Sequence, residues 1–286
     1  MPFTGVPSKV SDLGALYPNV YDDALFVARD NSLMAGLVTN VAGDSYAPRY
    51  VPIYNEITAS AVSEGGTPST QQLTKGTADT ITPQTIAVKV PVSDERIMTD
   101  PDSVGNAIAV EGGLAIAKKV DQDLLAEFAN LTQDFGAAGS ALTVRRCAAA
   151  VAYIRAQNSM SIPNMVLHPY TWYSVYNELS QNGVTTRAAN ASDVVNQAMR
   201  EFWVNDYQGA QWYTSSNLGT GTAIVNGAFV REAIMLDTRS PMQMEVERDP
   251  DSRSFYYFFN MRYGTGTPRS TFGTKLTATA SVPSSF

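Results

Sequence analysis

Cysteine and histidine each occur once, at Cys147 and His168, and charged residues make up only 16% of the chain. The lone cysteine cannot form an intrachain disulfide; lying among alanines in a helical pattern, it is most simply a small buried hydrophobe. Cys/His zinc sites are thereby excluded, and a Cys–His nucleophile pair could only be Cys147 with His168, with Arg145 and Arg146 the sole neighbours able to stabilise a thiolate. A Ser–His–Asp triad would also need His168, and no G-x-S-x-G elbow presents a serine. His168 is better explained as a strand-end residue bonded to backbone. No apolar run reaches bilayer length and MPFTGVPSKV has no signal-peptide core, so a soluble protein made in the cytoplasm is expected, without a membrane partner. Basic residues are dispersed and the net charge is −7, which argues against a duplex-binding surface.

Fragments that imitate active-site motifs have simpler explanations. Gly219-Thr-Gly-Thr222 and Gly264-Thr-Gly-Thr267 extend to no full phosphate-loop pattern and open no helix, so they are turns. Glu245 and Glu247 share one strand face, as a glycosidase pair would, but a solvated strand face accounts for them. Asp249 and Asp251 lack the other ligands of a calcium loop. No catalytic residue, cofactor or metal site is expected.

What the sequence does contain is a long helix signal, Thr99 to Thr132. Asp100 can cap it, Pro101 suits the first helical position, and Asp102 places negative charge on the exposed amides. Val110, Leu114, Ala117, Leu124, Leu125 and Phe128 recur every three or four residues as one apolar face. About 29 helical residues would make a rod of about 43 Å. Gly112 and Gly113 each cost about 1 kcal/mol relative to alanine, which implies close backbone approach. Asp121 falls within the apolar stripe and, if buried, needs an arginine or backbone donors.

The rest of the chain is arranged around this rod. Met1 to Gly43 holds one short helical pattern, Val20 to Ala28, and an apolar patch, Leu33 to Val41; with so little apolar surface it must lie on something else. Ser45 to Glu95 has strand character, with Val51, Ile53 and Ile57 on one arm, Ile86, Val88, Val90 and Val92 on the other, and a polar tip from Ser60 to Thr80. The expectation is a long two-stranded hairpin, held to edge-like pairing by Pro48, Pro52, Pro83 and Pro91, whose apolar face docks on another chain. Helices are predicted from Leu142 to Gln157, from His168-Pro169 onward with Trp172, Val175, Tyr176 and Leu179, and from Ser192 with Val194, Val195, Ala198, Met199 and Phe202. Strands are predicted at Met165–Leu167, Gln211–Thr214 and Ala223–Asn226. Met242, Met244 and Val246 alternate with polar residues, and Phe255 to Tyr263 returns with aromatics on both faces, so cover on both sides is expected. A glycine-rich break, Gly264 to Pro268, precedes a last strand, Gly273 to Ala280.

The order of these pieces resembles the major capsid proteins of tailed bacteriophages, the Hong Kong 97-type fold. The resemblance rests on Ala61-Val-Ser-Glu64-Gly-Gly-Thr-Pro68, then Ile81-Thr-Pro-Gln-Thr-Ile-Ala-Val88, then Val92-Ser-Asp-Glu95, leading through Asp100 into a helix with Asp121-x-x-Leu124-Leu125. Met165-Val-Leu-His168-Pro169-x-x-Trp172 is similar to the family's axial strand and helix. The pair Met242 to Arg248 and Ser254 to Tyr263 looks like its peripheral strands. Each motif alone is weak; their order over Ser45 to Ala280 carries the likeness.

The resemblance implies an α+β protein with an N-terminal arm (1–43), an extended β-hairpin loop (44–93), a peripheral domain with the spine helix (94–135 and 238–263) and a mixed α/β axial domain (136–237 and 264–286). It implies a structural subunit that self-assembles as hexamers and pentamers into an icosahedral head around double-stranded DNA, packaged by proximity without sequence-specific binding. Portal and decoration proteins would be partners, as would a separate scaffolding protein, since only about 43 residues precede the loop. Candidate intersubunit contacts are Ile53, Glu64, Lys75, Ile86, Val88 and Val90; Asp121, Leu124, Leu125 and Phe128 are structural in the spine. Lys75 lies near the expected tip, where the family's namesake has its crosslinking lysine, although a lysine on a polar tip does not by itself imply crosslinking. An encapsulin-like compartment shares the fold and stands as the alternative. A β-rich glycoside hydrolase using Glu245 and Glu247 is the alternative from another class.

Overall fold

A computed structural model describes residues 32–76, 79–99, 101–157, 161–185 and 206–283. The helical patterns at Val20–Ala28 and from Ser192, the proposed cap Asp100 and the side chain of Asp102 lie outside the described residues. In chain order the elements begin with α1 (Leu33–Leu37), β1 (Thr39–Ala42), β2 (Arg49–Val51), β3 (Asp79–Ile81), β4 (Gln84–Ser93), α2 (Asp94–Thr99) and the spine α3 (Pro101–Ala126), which ends in a 3-10 turn, Glu127–Asn130. Next come β5 (Gln133–Asp134), α4 (Val144–Ala156), β6 (Asn164–Leu167), α5 (Pro169–Thr185), β7 (Asp206–Tyr207) and β8 (Ala210–Thr214). The chain closes with β9 (Gly221–Phe229), β10 (Met235–Asp249), β11 (Ser254–Gly266) and β12 (Gly273–Ala280).

Two sheets organise these elements. The first is four-stranded, ordered β1-β10-β11-β4, and the second six-stranded, ordered β5-β12-β9-β6-β8-β7. α3 packs on the first sheet with Ile108, Ala109, Ile116, Val120, Leu124, Leu125 and Phe128 in one core with Tyr257, Phe259 and Tyr263. α4 and α5 pack on the second around Cys147, Val151, Ile154, Trp172, Val175 and Trp212. The indoles of Trp172 and Trp212 meet edge to face at 5.3 Å. The end of the spine joins the two: Phe128 lies 5.4 Å from Phe229 of β9, and Gly227 leaves room for its ring, since a Cβ there would stand 2.7 Å from it.

α3 shows why its sequence is unusual. The buried row runs Ala109, Gly112, Gly113, Ile116, Ala117, Val120, Asp121, Leu124, Leu125 and Phe128, whereas Val110 and Leu114 are only half-buried at its margin. The expected stripe is therefore displaced: α3 is gripped by the sheet on one side and by α1 on another, and the smallest residues mark the closest approach. A Cβ on Gly112 would lie 2.7 Å from the Phe259 ring, so the helix tolerates a poor helix former where the aromatic must sit.

Three expectations are corrected. The arms of the 45–95 region do not form a continuous ladder: Arg49, Tyr50 and Val51 pair with Ile81, Thr80 and Asp79, and beyond them Tyr54 makes a single bridge to Lys75. From Gln84 onward the second arm leaves its partner and pairs antiparallel with β11, from Gln84↔Tyr263 to Ser93↔Ser254. A lone hairpin cannot cover the row Ile86, Val88, Val90 and Val92, whereas the edge of a sheet facing α3 can, and these side chains pack into the spine's core. Pro91 thus falls on an edge strand, where a missing N–H is tolerated.

The second correction concerns β11. Its inner face, Tyr257, Phe259 and Tyr263, is buried, but Tyr256 and Phe258 on its other face are only half-buried among the described residues. Lys89 instead lies over Tyr256 at 3.8 Å and Phe258 at 5.0 Å, and Arg262 over Tyr46 at 4.4 Å, so cation–π contacts and amphipathic stems shield the rings. Third, β11 runs on through Gly264 to Gly266 rather than breaking there.

Candidate functional site

Among the described residues the part with least support from its own fold is the loop between β1 and β4, and its base is fixed in two ways. Asp237 of β10 is fully buried and receives the Nε–H of Arg49 at 3.0 Å and of Arg239 at 2.8 Å. The same arginines donate to the carbonyls of Ala42, at 3.1 Å, and Ser45, at 2.7 Å, so one carboxylate orients both the start of the loop and its first strand. Two cations on one buried anion offset the desolvation that a single pair would not. On the returning strand Ile81 is fully buried and lies against Gly264 and Gly266, where any Cβ would come within 2.7 Å of it. Side-chain-free backbone in β11 is what lets the isoleucine seat.

Beyond Val51 the backbone ladder gives way to scattered ties. Tyr54 bridges Lys75, the Gly76 amide donates to the Ile53 carbonyl, and Asn55 Oδ1 accepts from the Thr74 amide at 2.7 Å. Gln71 Oε1 accepts from the Thr58 amide at 2.9 Å, and its Nε2 donates to the Thr58 carbonyl at 2.6 Å. The tip is the turn at Ser63, whose carbonyl accepts the Gly66 amide at 2.9 Å, and Gly65 there adopts φ +80°, a conformation that strains residues with a Cβ. Glu64 is exposed in that turn, while Lys75 is not at the tip but on the returning arm opposite Tyr54.

Along this loop Tyr46, Tyr50, Tyr54, Ile57, Val62 and Leu73 are all exposed, Tyr46 and Tyr50 by about two-thirds (67% and 66%). Outside it, among the described residues, only Met98, Ile162 and Val282 are large apolar side chains so exposed. Tyr50 and Tyr54 are four residues apart along the outgoing arm and so share a face, whereas Tyr46 precedes a bend at Ala47 and lies under Arg262. Sequence reasoning attended to the opposite face, Val51, Ile53 and Ile57, and missed them. Of the candidate contacts, Ile53 is half-buried, Glu64 and Lys75 are exposed, and Ile86, Val88 and Val90 are half-buried against the chain's own spine.

The spine residues converge elsewhere. Asp121 is 1% exposed, and Leu124, Leu125 and Phe128 are buried beside it. Asp121 Oδ1 accepts the Met34 amide at 2.8 Å; Oδ2 accepts from Asn217 Nδ2 at 2.9 Å and Ser215 Oγ at 3.4 Å. The carboxylate therefore ties α1, the spine and the segment after β8 with neutral donors, and no cation reaches it among the described residues. Asp123 is also engaged, accepting from Lys119 Nζ at 2.6 Å, Tyr263 Oη at 2.7 Å and Gln84 Nε2 at 3.2 Å.

The groups capable of chemistry are dispersed. Cys147 is buried in α4, and burial, with Glu178 nearby, raises its thiol far above the ordinary range. His168 Nδ1 accepts the Tyr170 amide at 3.1 Å at the start of α5, and burial lowers its pKa. Glu245 and Glu247 are exposed on the outer face of β10. Among the described residues no group of three or more His, Cys, Asp or Glu is placed to hold a metal, and no helix is long and apolar enough to cross a membrane.

Comparison with known proteins bears on this architecture directly. A chain from Mycobacterium phage Che8 superposes with a TM-score of 0.66 at 18% identity, covering 86% of this chain and 90% of that one. The capsid of cyanophage P-SCSP1u gives 0.65 at 16%, covering 87% and 89%. A virus-like particle from Pyrococcus furiosus gives 0.60 at 10%, covering 91% and 98%. At these identities the likeness shows a shared fold. No curated protein sequence matches. The phage capsid protein family, however, matches residues 77–275, a span that begins in the returning arm of the loop and takes in the spine, both helical layers and nearly all of both sheets. Over that span fold and sequence agree, and the chain belongs to the phage capsid protein family.

Proposed function

We propose that this structural major capsid protein closes its shell through the extended loop, whose exposed aromatic row is buried by neighbouring subunits. The observation that carries the reading is the conjunction of a rigidly seated base with an arm bearing Tyr50, Tyr54, Ile57 and Leu73 in water. Each such side chain, once buried, contributes roughly 2 kcal/mol, and repeated around a closed ring such contacts favour assembly over monomers. Glu64 and Lys75, exposed at the tip and on the returning arm, would set register with partners. Ile53 adds to the same surface, whereas Ile86, Val88 and Val90 act indirectly by holding β4 on the spine.

On this reading residues 1–43 form the arm and 44–93 the loop, with β4 also serving as an edge strand. Residues 94–135 and 238–263 make the peripheral domain, and 136–237 with 264–286 the axial domain. Subunits gather as hexamers and pentamers in the host cytoplasm, with a separate scaffolding protein, a portal and a decoration protein as partners. The shell encloses double-stranded DNA without reading its sequence, consistent with the net charge of −7, and carries no enzymatic activity. Deleting residues 57–72, with Tyr54, Lys75 and Ile81 retained, tests this. The variant is expected to melt like the intact subunit yet form no closed shells; normal shells would show that the loop is dispensable.

A further inference from the structure

The first sheet ends on two edges of different character. β1 covers β10 from Met235 to Thr238. From Gln243 to Asp249, β10 pairs with β11 alone among the described residues, so the N–H and C=O groups of every other residue in that stretch point away from the sheet. Pro241 precedes the stretch and Pro250 follows it, but no proline lies within it. β4, at the sheet's other edge, is blunted by Pro91 and carries the exposed Lys89. The β10 edge has neither a proline nor a lysine and is a template for a further strand.

The side chains on this edge select the strand that fits. On the outer face Glu245 and Glu247 are exposed, and Glu245 takes a long hydrogen bond, 3.5 Å, from Asn260 Nδ2. Asp249 continues the row but is committed to the turn, accepting from the Asp251 amide at 3.0 Å and the Ser252 hydroxyl at 2.8 Å. Lys89 lies two strands away over Tyr256 and Phe258, and Arg248, on the opposite face by the strand's alternation, donates to Asp94 at 3.1 Å. On the inner face Met244 and Val246 are half-buried against the spine's core. A strand added here therefore meets carboxylates on one face and apolar side chains on the other. We propose that Gln243–Asp249 accepts an extended segment of a second protein in which Lys or Arg alternates with apolar residues. Its cations face Glu245 and Glu247, and its apolar side chains extend the cover over Met244 and Val246. A second copy of this chain does not fit. In a two-fold pairing centred on Val246, Glu245 of one copy stands opposite Glu247 of the other, which is repulsive. No Lys or Arg in the chain has another two residues away, so no segment of a second copy presents the required alternation.

Hydrogen–deuterium exchange on the intact, unassembled chain tests this with two synthetic peptides of one composition, Thr-Lys-Val-Lys-Val-Lys-Val-Thr and the scrambled Thr-Lys-Lys-Val-Val-Val-Lys-Thr, both capped at their ends. At saturation the alternating peptide should slow exchange of amides within Gln243–Asp249 at least tenfold, and the scrambled one should leave them within twofold. Glu245→Lys with Glu247→Lys should abolish that protection and transfer it to a peptide alternating Glu with Val. Both side chains are exposed, so this variant should melt as the unmodified chain does. If it does not, Glu245→Gln with Glu247→Gln takes its place, and the alternating peptide's protection should fall at least threefold. Equal protection by the two lysine peptides would reduce the effect to bulk charge and overturn the proposal, as would an absence of protection within Gln243–Asp249. Protection that grows with chain concentration when no peptide is present would assign the edge to a second copy and overturn it too. The loop is intact in every sample and no shell is formed, so the result is separate from whether the loop closes shells.

Discussion

Replacing Asp121 by alanine should destabilise the subunit more than any other single carboxylate removal on the spine. The side chain is 1% exposed and satisfies three donors, the Met34 amide, the Asn217 amide and the Ser215 hydroxyl. Hydrogen bonds to a charged acceptor contribute about 1.5–3 kcal/mol each, and a buried donor left without a partner costs about 1–3 kcal/mol. The buried carboxylate's own desolvation is recovered on mutation, which offsets part of that loss. A net cost on the order of 3 kcal/mol remains, equivalent to a melting-point drop of roughly 5–10 °C for a chain of this size. Asp123 is the comparison. It lies off the buried row, and although Lys119, Tyr263 and Gln84 all donate to it, its side chain is 17% exposed and water can replace what is lost. Asp123→Ala is therefore expected to cost about 1 kcal/mol. Denaturant and thermal melts of unassembled subunits decide between them. Equal midpoints for the two variants would refute the claim that Asp121 is the buried joint between α1, the spine and the second sheet.

Gly112→Ala gains about 1 kcal/mol of helix propensity but pushes a methyl to within 2.7 Å of Phe259; overpacking of about 1–3 kcal/mol should prevail, read as a lower denaturant midpoint. Arg239→Met leaves Asp237 fully buried with Arg49 alone, and a loss of about 3–5 kcal/mol is expected, with faster proteolysis of the loop base. Burial depresses the His168 pKa, so the neutral ring is favoured in the fold. Its stabilisation is then fully present above the unfolded value of about 6.5 and is lost as pH falls below it. His168→Asn retains a side-chain acceptor for the Tyr170 amide, and should flatten that part of the stability–pH curve.

The spine was legible because its signals are local. A proline start, a three-to-four-residue apolar period and a glycine pair are all contained in one stretch, and Asp121 stood out as a charge among them. The final strand, Gly273 to Ala280, was equally plain, since β12 spans the same residues. The fate of the loop's second arm was not legible. Ile86, Val88, Val90 and Val92 alternate identically whether the partner strand is Val51–Ile57 or β11, and only the glycine-rich, aromatic β11 some 170 residues later decides the pairing. The Asp237 clamp was hidden for the same reason: Arg49 and Asp237 lie 188 residues apart, and no local pattern links them. The pair Tyr50 and Tyr54 could have been seen from its four-residue spacing, but the aliphatic face drew the assignment first.

Electron microscopy of particles formed by the purified protein tests the central claim most directly, at a resolution that places side chains. Closed shells are expected in which Tyr50, Tyr54 and Ile57 of each loop are buried against a neighbouring subunit. Monodisperse monomers under all assembly conditions, or shells in which those side chains remain in solvent, would contradict it.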